Sequence, residues 1–227
     1  MRTKLLIVTI LLVISTLVPC QSHGQNAEWS GRPPSRDEVA RFFQGKISAD
    51  DVLARYNVPI LHLTGEKPLV ETAGLQVTQV YRLLVLTRPS NTPVVVRLSI
   101  GPDGTGEVVV KMSESARAAG VLAVHRTVNL SRLDVDDYRK LLADSSFWSM
   151  PVHEAIDFHH VVMGEQGWMF EGEKEGSYHV VCRGTSSLAS LKKVVMFLVD
   201  VSKLDLASTT IRPDEGRKSN PQIVMDG

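Results

Sequence analysis

Apolar residues recur along this chain with a spacing that changes from helical to alternating and back again. Ser35-x-x-Glu38 before Val39, Phe42 and Phe43 has the form of a capping box, and Ser48-x-x-Asp51 before Val52 and Leu53 repeats it. These signals predict two short helices over residues 36–57, the first ended by Gly45. Helices of this length are marginal alone, so they must pack on the main body or on a partner. From Gln76 the period becomes two. Gln76 to Leu86, Val94 to Ile100, Glu107 to Met112 and Val121 to Leu130 read as strands, separated by Arg88-Pro-Ser-Asn-Thr-Pro93, by the turn Gly101-Pro-Asp-Gly104 and by a polar connection. The short connections imply antiparallel neighbours. The connection Ser113 to Gly120 is long enough to let the fourth strand enter elsewhere in the sheet.

A third capping signal, Ser131-x-x-Asp134, starts a helix whose apolar side is Leu133, Tyr138, Leu141 and Leu142. It ends before Phe147-Trp148-Ser-Met-Pro151, where proline forbids continuation and two aromatics are expected as core anchors. Strands follow over Asp157 to Met163, Gly167 to Glu173 and Ser177 to Arg183. A helix from Ser187 to Lys203 then carries the stripe Leu188, Leu191, Val194, Val195, Leu198 and Val201. The tail 206–227 has no period. These elements amount to an α+β fold, a single domain over 76–205. It has an antiparallel sheet of about six or seven strands, with helices packed on one face and the other face open.

Parity suggests how the last strands pair. With Lys174, Glu175 and Gly176 as a three-residue loop, Glu173 pairs with Ser177, and Trp168, Phe170 and Gly172 share the core face with Cys182, Val180 and Tyr178. Glu171 and His179 then become neighbours on the opposite face. Adding the Asp157 strand places His160 beside Glu171, which predicts a transverse row His160, Glu171, His179.

Composition narrows the class. At 227 residues and 43% hydrophobic, the chain can bury a sizeable core, and its 25 basic and 25 acidic residues are interspersed. No basic patch is available to neutralise phosphates, so a nucleic-acid partner is not expected. Arg2 and Lys4 precede the apolar run Leu5 to Val18, which suits a signal-peptide core, with small residues at Ser22-His23-Gly24. Residues 1–24 therefore read as an export signal and 25–35 as a linker. Removing the signal leaves 23 basic against 25 acidic residues, a charge of −2. Leu17-Val-Pro-Cys20 resembles a bacterial lipobox, with proline where a small residue normally precedes the cysteine, so a lipid anchor at Cys20 is the one membrane attachment the sequence offers. The chain is expected in the periplasm or outside the cell. Cys182 has no second cysteine in the domain, and parity places it in the core as a small apolar residue.

Phe147-Trp148-x-x-Pro151, Gly167-Trp168-x-x-Glu171-Gly172 and Gly176-x-Tyr178-His179-Val-Val-x-Arg183, followed by an apolar helix, resemble a pattern found in uncharacterised bacterial exported proteins. Relatives of that pattern often carry Asp-Gly before the tryptophan and a proline after the arginine. Met163-Gly164 and Thr185-Ser186-Ser187 stand at those places here. The resemblance implies a shared fold and carries no activity.

His160, Glu171 and His179 offer two imidazoles and a carboxylate, a donor set suited to zinc or another divalent transition metal. No His-Glu-x-x-His motif, nucleophile elbow or phosphate-binding glycine loop is present. A plainer use for Glu171 is structural, accepting hydrogen bonds from Arg183 or a backbone group and tying the sheet to the N-terminal helices. No cofactor is required by any motif. The leading expectation is a non-catalytic module of the cell envelope that binds an unidentified protein or envelope component. The alternative is a metal-assisted hydrolase built on the His160 row.

Overall fold

The computed structural model describes residues 33–73, 77–87, 92–113, 122–153, 167–184, 189–205 and 210–211. The expected export signal, Cys20, the strand expected over Asp157 to Met163 with His160 in it, and most of the tail lie outside these residues.

Helix α1 (Arg36–Phe43) begins as the sequence predicts. The Ser35 hydroxyl accepts from the Glu38 amide, and the Glu38 carboxylate accepts from the Ser35 amide at 2.8 Å. Helix α2 (Val52–Leu63) is longer than expected, running past residue 57 with Pro59 inside it. An interior proline costs about 3 kcal/mol or more. Burial of Val58, Ile60 and Leu61 around it offsets that cost. A single turn, α3 (Leu69–Thr72), leads to the sheet.

Strands β1 (Gln79–Thr87), β2 (Thr92–Ile100), β3 (Gly106–Ser113) and β4 (Leu122–Leu130) form a continuous antiparallel meander. The fourth strand thus joins beside the third, and the long connection does not carry it elsewhere. Helix α4 (Arg132–Asp144) and a 3-10 turn at Phe147–Ser149 follow. Strands β5 (Gly167–Lys174) and β6 (Ser177–Gly184) then add to the far side of β1, giving the order β4-β3-β2-β1-β5-β6. Helix α5 (Lys192–Val201) comes next, and β7 (Leu204–Asp205) pairs with β8 (Thr210–Ile211) in a small ribbon.

The first face of the sheet carries Tyr81, Leu83, Val96, Leu98, Val108, Phe170 and Val181 and packs against Val135, Tyr138 and Leu142 of α4 and Val194, Val195 and Leu198 of α5. Leu133, expected on the apolar side of α4, is 78% exposed; Val135 takes the inward position. The second face is not open across its whole width as predicted. Val80, Leu84, Val95, Met169, Val180 and Cys182 pack against Val39, Phe42, Phe43, Val58 and Leu61 of the N-terminal helices. Fully burying a Phe or Leu contributes about 1.5–3 kcal/mol each, so this layer is part of the fold.

Candidate functional site

The turn between β5 and β6 decides what the second face can hold. Lys174 pairs with Ser177, leaving a two-residue turn in which Glu175 and Gly176 both take positive φ, 53° and 78°. This is the turn geometry that matches the twist of a hairpin. The expected three-residue loop is replaced, and β6 shifts by one residue against β5. Phe170 now pairs with Val181, Glu171 with Val180, and Gly172 with His179. Apolar alternation could not select this register because both faces are buried here, so Val180 and Val181 satisfy either pairing equally.

Glu171 and His179 consequently lie on opposite faces, and Trp168 and Cys182 are likewise separated. His179 is half-buried on the first face, its ring against Phe147 at 5.0 Å and Trp148 at 6.4 Å. Burial lowers the imidazole pKa, opposed by a hydrogen bond to the Met150 backbone. Glu171 is fully buried on the second face. With His160 outside the described residues, the expected metal row is not assembled from its other two members. Among the described residues, no group of three or more His, Cys, Asp or Glu could hold a metal ion.

What Glu171 does join is a buried ion cluster. Its neighbour across β1 is Arg82, itself paired with Arg97 in β2. Arg82 Nε and Nη2 both lie 2.7 Å from Glu171 Oε2, while the Tyr178 hydroxyl donates to Oε1 at 2.7 Å. The Arg82 and Glu171 side chains are both wholly buried. The second carboxylate arrives from the helical layer. After α2 the chain turns at Gly65, with positive φ, and the Glu66 amide donates to the Leu61 carbonyl at 2.7 Å, which drops Glu66 onto the sheet. Its carboxylate meets Lys111 Nζ at 2.8 Å, Arg97 Nη1 at 3.0 Å and Arg82 Nη1 at 3.4 Å. Arg82 Nη1 also donates to the Lys67 carbonyl at 2.7 Å, and Lys111 to that of Gly65 at 3.2 Å.

The electrostatics follow from this geometry. Burial alone would raise the Glu66 pKa, but Arg97, Arg82 and Lys111 outweigh it and hold the carboxyl below its ordinary value. Burial opposes the charge on Arg82, and Glu171 and Glu66 more than compensate. Tyr178 is pushed well above the usual phenol range by burial and by Glu171, which keeps its hydroxyl a donor. The cluster clamps the N-terminal layer to the sheet, the structural role expected of Glu171 but with other partners. Arg183 instead donates to the carbonyls of Pro151 at 2.9 Å and Val152 at 3.0 Å.

Cys182 is buried as expected, its thiol pushed up to about 12 by desolvation and then by Glu171 and Asp51. Asp51 also reaches His153 Nε2 at 2.8 Å, a second tie between the helical layer and the β6 edge. Trp168 is a core residue, whereas Trp148 is 37% exposed and stacks edge-on to Phe147 at 5.0 Å. The sequence patterns do not single out Arg82, Arg97, Lys111 or Glu66. Arg82 has a signal, sitting mid-strand between Val80-Tyr81 and Leu83-Leu84, apolar on both parities; Arg97 has a weaker one, between Val95-Val96 and Leu98-Ser99. Glu66, in a connecting loop, has none.

Beyond the clamp, the second face opens. Glu107 on β3 and His125, Thr127 and Asn129 on β4 are exposed, forming a polar strip beside the Gly65–Glu66 turn. Among the described residues no helix is long and apolar enough to cross a membrane. No protein-family model matches the chain, and no curated protein matches it.

Proposed function

We propose that the chain is an exported, non-catalytic module of the cell envelope that binds a protein or other envelope component. The observation that carries this reading is the division of the second face into a closed, internally paired clamp and an open polar strip on β3 and β4. The clamp engages Glu171, Tyr178 and Arg82 with one another, which supports a scaffolding use for them. The strip leaves side chains of varied hydrogen-bonding character facing outward on a rigid sheet, a surface suited to recognition. The signal-like segment 1–24 and the likeness to exported bacterial proteins support placement outside the cytoplasm.

The test is cell fractionation of the full-length chain with a photo-crosslinking residue at Thr127, and a matched control at Asp136 on α4. A discrete adduct from Thr127 in the envelope or secreted fraction, absent from Asp136, is the expected result. Cytoplasmic retention, or adducts equal at both sites, would overturn the reading. Metal content of the chain 25–227 addresses the hydrolase alternative: stoichiometric metal that disappears in the His160→Ala, His179→Ala variant would replace the binding reading with it.

A further inference from the structure

The two tryptophans in the described residues have different surroundings. Trp168 is 7% exposed and belongs to the core, whereas Trp148 keeps 37% of its surface outside. Its indole is nonetheless fixed. The ring meets Phe147 at 5.0 Å, Tyr81 at 6.4 Å and His179 at 6.4 Å. The turn that carries it is closed by the Ser149 amide donating to the Ser146 carbonyl at 3.0 Å and the Met150 amide to the Phe147 carbonyl at 3.1 Å. Phe147 and Tyr81 are themselves buried. A flat aromatic face is thus held in one orientation at the surface, and little further ordering is needed when a ligand lies on it.

Polar groups without partners gather around the same rings. The Tyr138 hydroxyl, Arg139 Nε and His179 Nε2 are buried atoms with no hydrogen-bond partner, and the wholly buried Tyr138 ring packs on Tyr81 at 5.1 Å. Burial raises the Tyr81 phenol, Arg139 opposes it, and Glu173 and Glu175 add to it, which places Arg139 and the β5–β6 turn beside this ring. An unsatisfied buried donor or acceptor costs about 1–3 kcal/mol, and such groups are usually paired. Their chemistry here is mixed. Arg139 Nε can only donate, while Nη1 of the same side chain is held by Asp136 at 3.3 Å. Burial favours the neutral imidazole of His179, and its one hydrogen bond, to the Met150 backbone, leaves Nε2 as an acceptor. Charges of both signs act on the site, Lys46 and Arg183 on His179 and Glu173 and Glu175 on Tyr81, so the surroundings do not select an ionic ligand.

A ligand that fits needs a flat C–H face for the indole, a donor for His179 and an acceptor for Arg139, all on one small frame. A sugar ring with an acetamido substituent has the three together. A carboxylate or phosphate supplies acceptors alone. We propose that Trp148, Arg139 and His179 form a binding site for an N-acetylated sugar. The sugar ring stacks on the Trp148 indole, its acetamide carbonyl accepts from Arg139 Nε, and its amide N–H donates to His179 Nε2. The Trp148 and Arg139 side chains, each more than a third exposed, turn aside to admit it. The site lies on the first face, apart from the polar strip on β3 and β4, so it goes beyond the binding reading above and does not depend on it.

The test is titration of the protein, as processed by the producing cell, with chitotetraose and with cellotetraose, which carries hydroxyls in place of the acetamides. Calorimetry gives the affinity, and tryptophan emission reports the ring. Chitotetraose is expected to bind and shift the emission, and cellotetraose to bind about tenfold more weakly. Trp148→Ala should abolish binding, Trp148→Phe should retain part of it, and Arg139→Ala should weaken it about tenfold. Leu133→Ala, at another exposed apolar side chain, should leave it unchanged. Circular dichroism checks that each variant is folded, and Arg139→Ala, at a side chain open to solvent, decides the matter should Trp148→Ala not fold. No binding of chitotetraose, equal affinity for both oligosaccharides, or affinity undiminished in Arg139→Ala would overturn the proposal. A blocked aromatic tetrapeptide that shifts the emission where chitotetraose does not would assign the ring to a protein partner and likewise refute it. The Thr127 adduct reports on the strip alone, so the two readings fail separately.

Discussion

Replacing Glu171 with alanine tests the clamp most directly. The Arg82 guanidinium would keep only the Lys67 carbonyl at 2.7 Å and the longer contact to Glu66 at 3.4 Å, with no solvent exposure to compensate. Removing one partner of a buried ion pair costs about 3–5 kcal/mol, because the other charge stays buried. The Tyr178 hydroxyl also loses its acceptor, a further cost of about 1 kcal/mol or more. Glu171→Ala should therefore destabilise the protein by about 4–6 kcal/mol. With a urea slope of about 2 kcal/mol per M, the unfolding midpoint falls by about 2–3 M. The double variant Arg82→Met, Glu171→Leu removes both charges together, beside the apolar Leu84, Met169 and Val180, and leaves Glu66 paired with Arg97 and Lys111. It should recover most of the loss. Urea unfolding followed by tryptophan fluorescence provides both numbers. A single-variant cost below about 1 kcal/mol, or a double variant no more stable than Glu171→Ala, would mean that the pair is not the desolvated clamp described above.

Three further outcomes follow from the same structure. Because the folded Glu66 pKa is depressed, its contribution is present above the unfolded value, about 4.3, and is lost as pH falls through the folded value. Stability measured from pH 7 downward should drop below that point, and Glu66→Gln should flatten this acid limb while lowering stability at pH 7. Gly172→Ala would set a Cβ 2.8 Å from Phe147 and 2.9 Å from Tyr81, so a thermal melt should show a loss of about 1–3 kcal/mol; an unchanged melting temperature would show that this contact relaxes freely. The Cys182 thiol, buried and raised to about 12, should resist a thiol reagent at pH 8 in the native protein and react at once in denaturant; fast native labelling would contradict its burial.

Where the chain's own covalent and local preferences decide the outcome, the sequence was sufficient. Ser35 and Ser131 start their helices with the capping boxes expected of them, since a cap is a contact between residues three apart. The four meander strands follow from a period of two separated by turn residues. Cys182 is buried, as a small apolar residue is expected to be, but on the face opposite Trp168.

Tertiary structure decided the rest, because those questions turn on groups distant in the chain. Alternation identifies an inward face only when the other face is wet. In β5 and β6 both faces are dry, so the choice between two hairpin registers, and with it the side on which His179 falls, rested on the turn alone. Covering of the second face depended on where two short helices dock, which their amphipathic spacing required but could not locate. The clamp shows this most clearly: Glu66 and Glu171 are far apart in sequence, and each is tolerated inside the protein because cations meet it there, Arg82 for Glu171 and Lys111, Arg97 and Arg82 for Glu66. A charged residue in isolation reads as exposed, since burial costs it more than local structure can return; only the fold, by bringing opposite charges within hydrogen-bond distance, makes burial affordable.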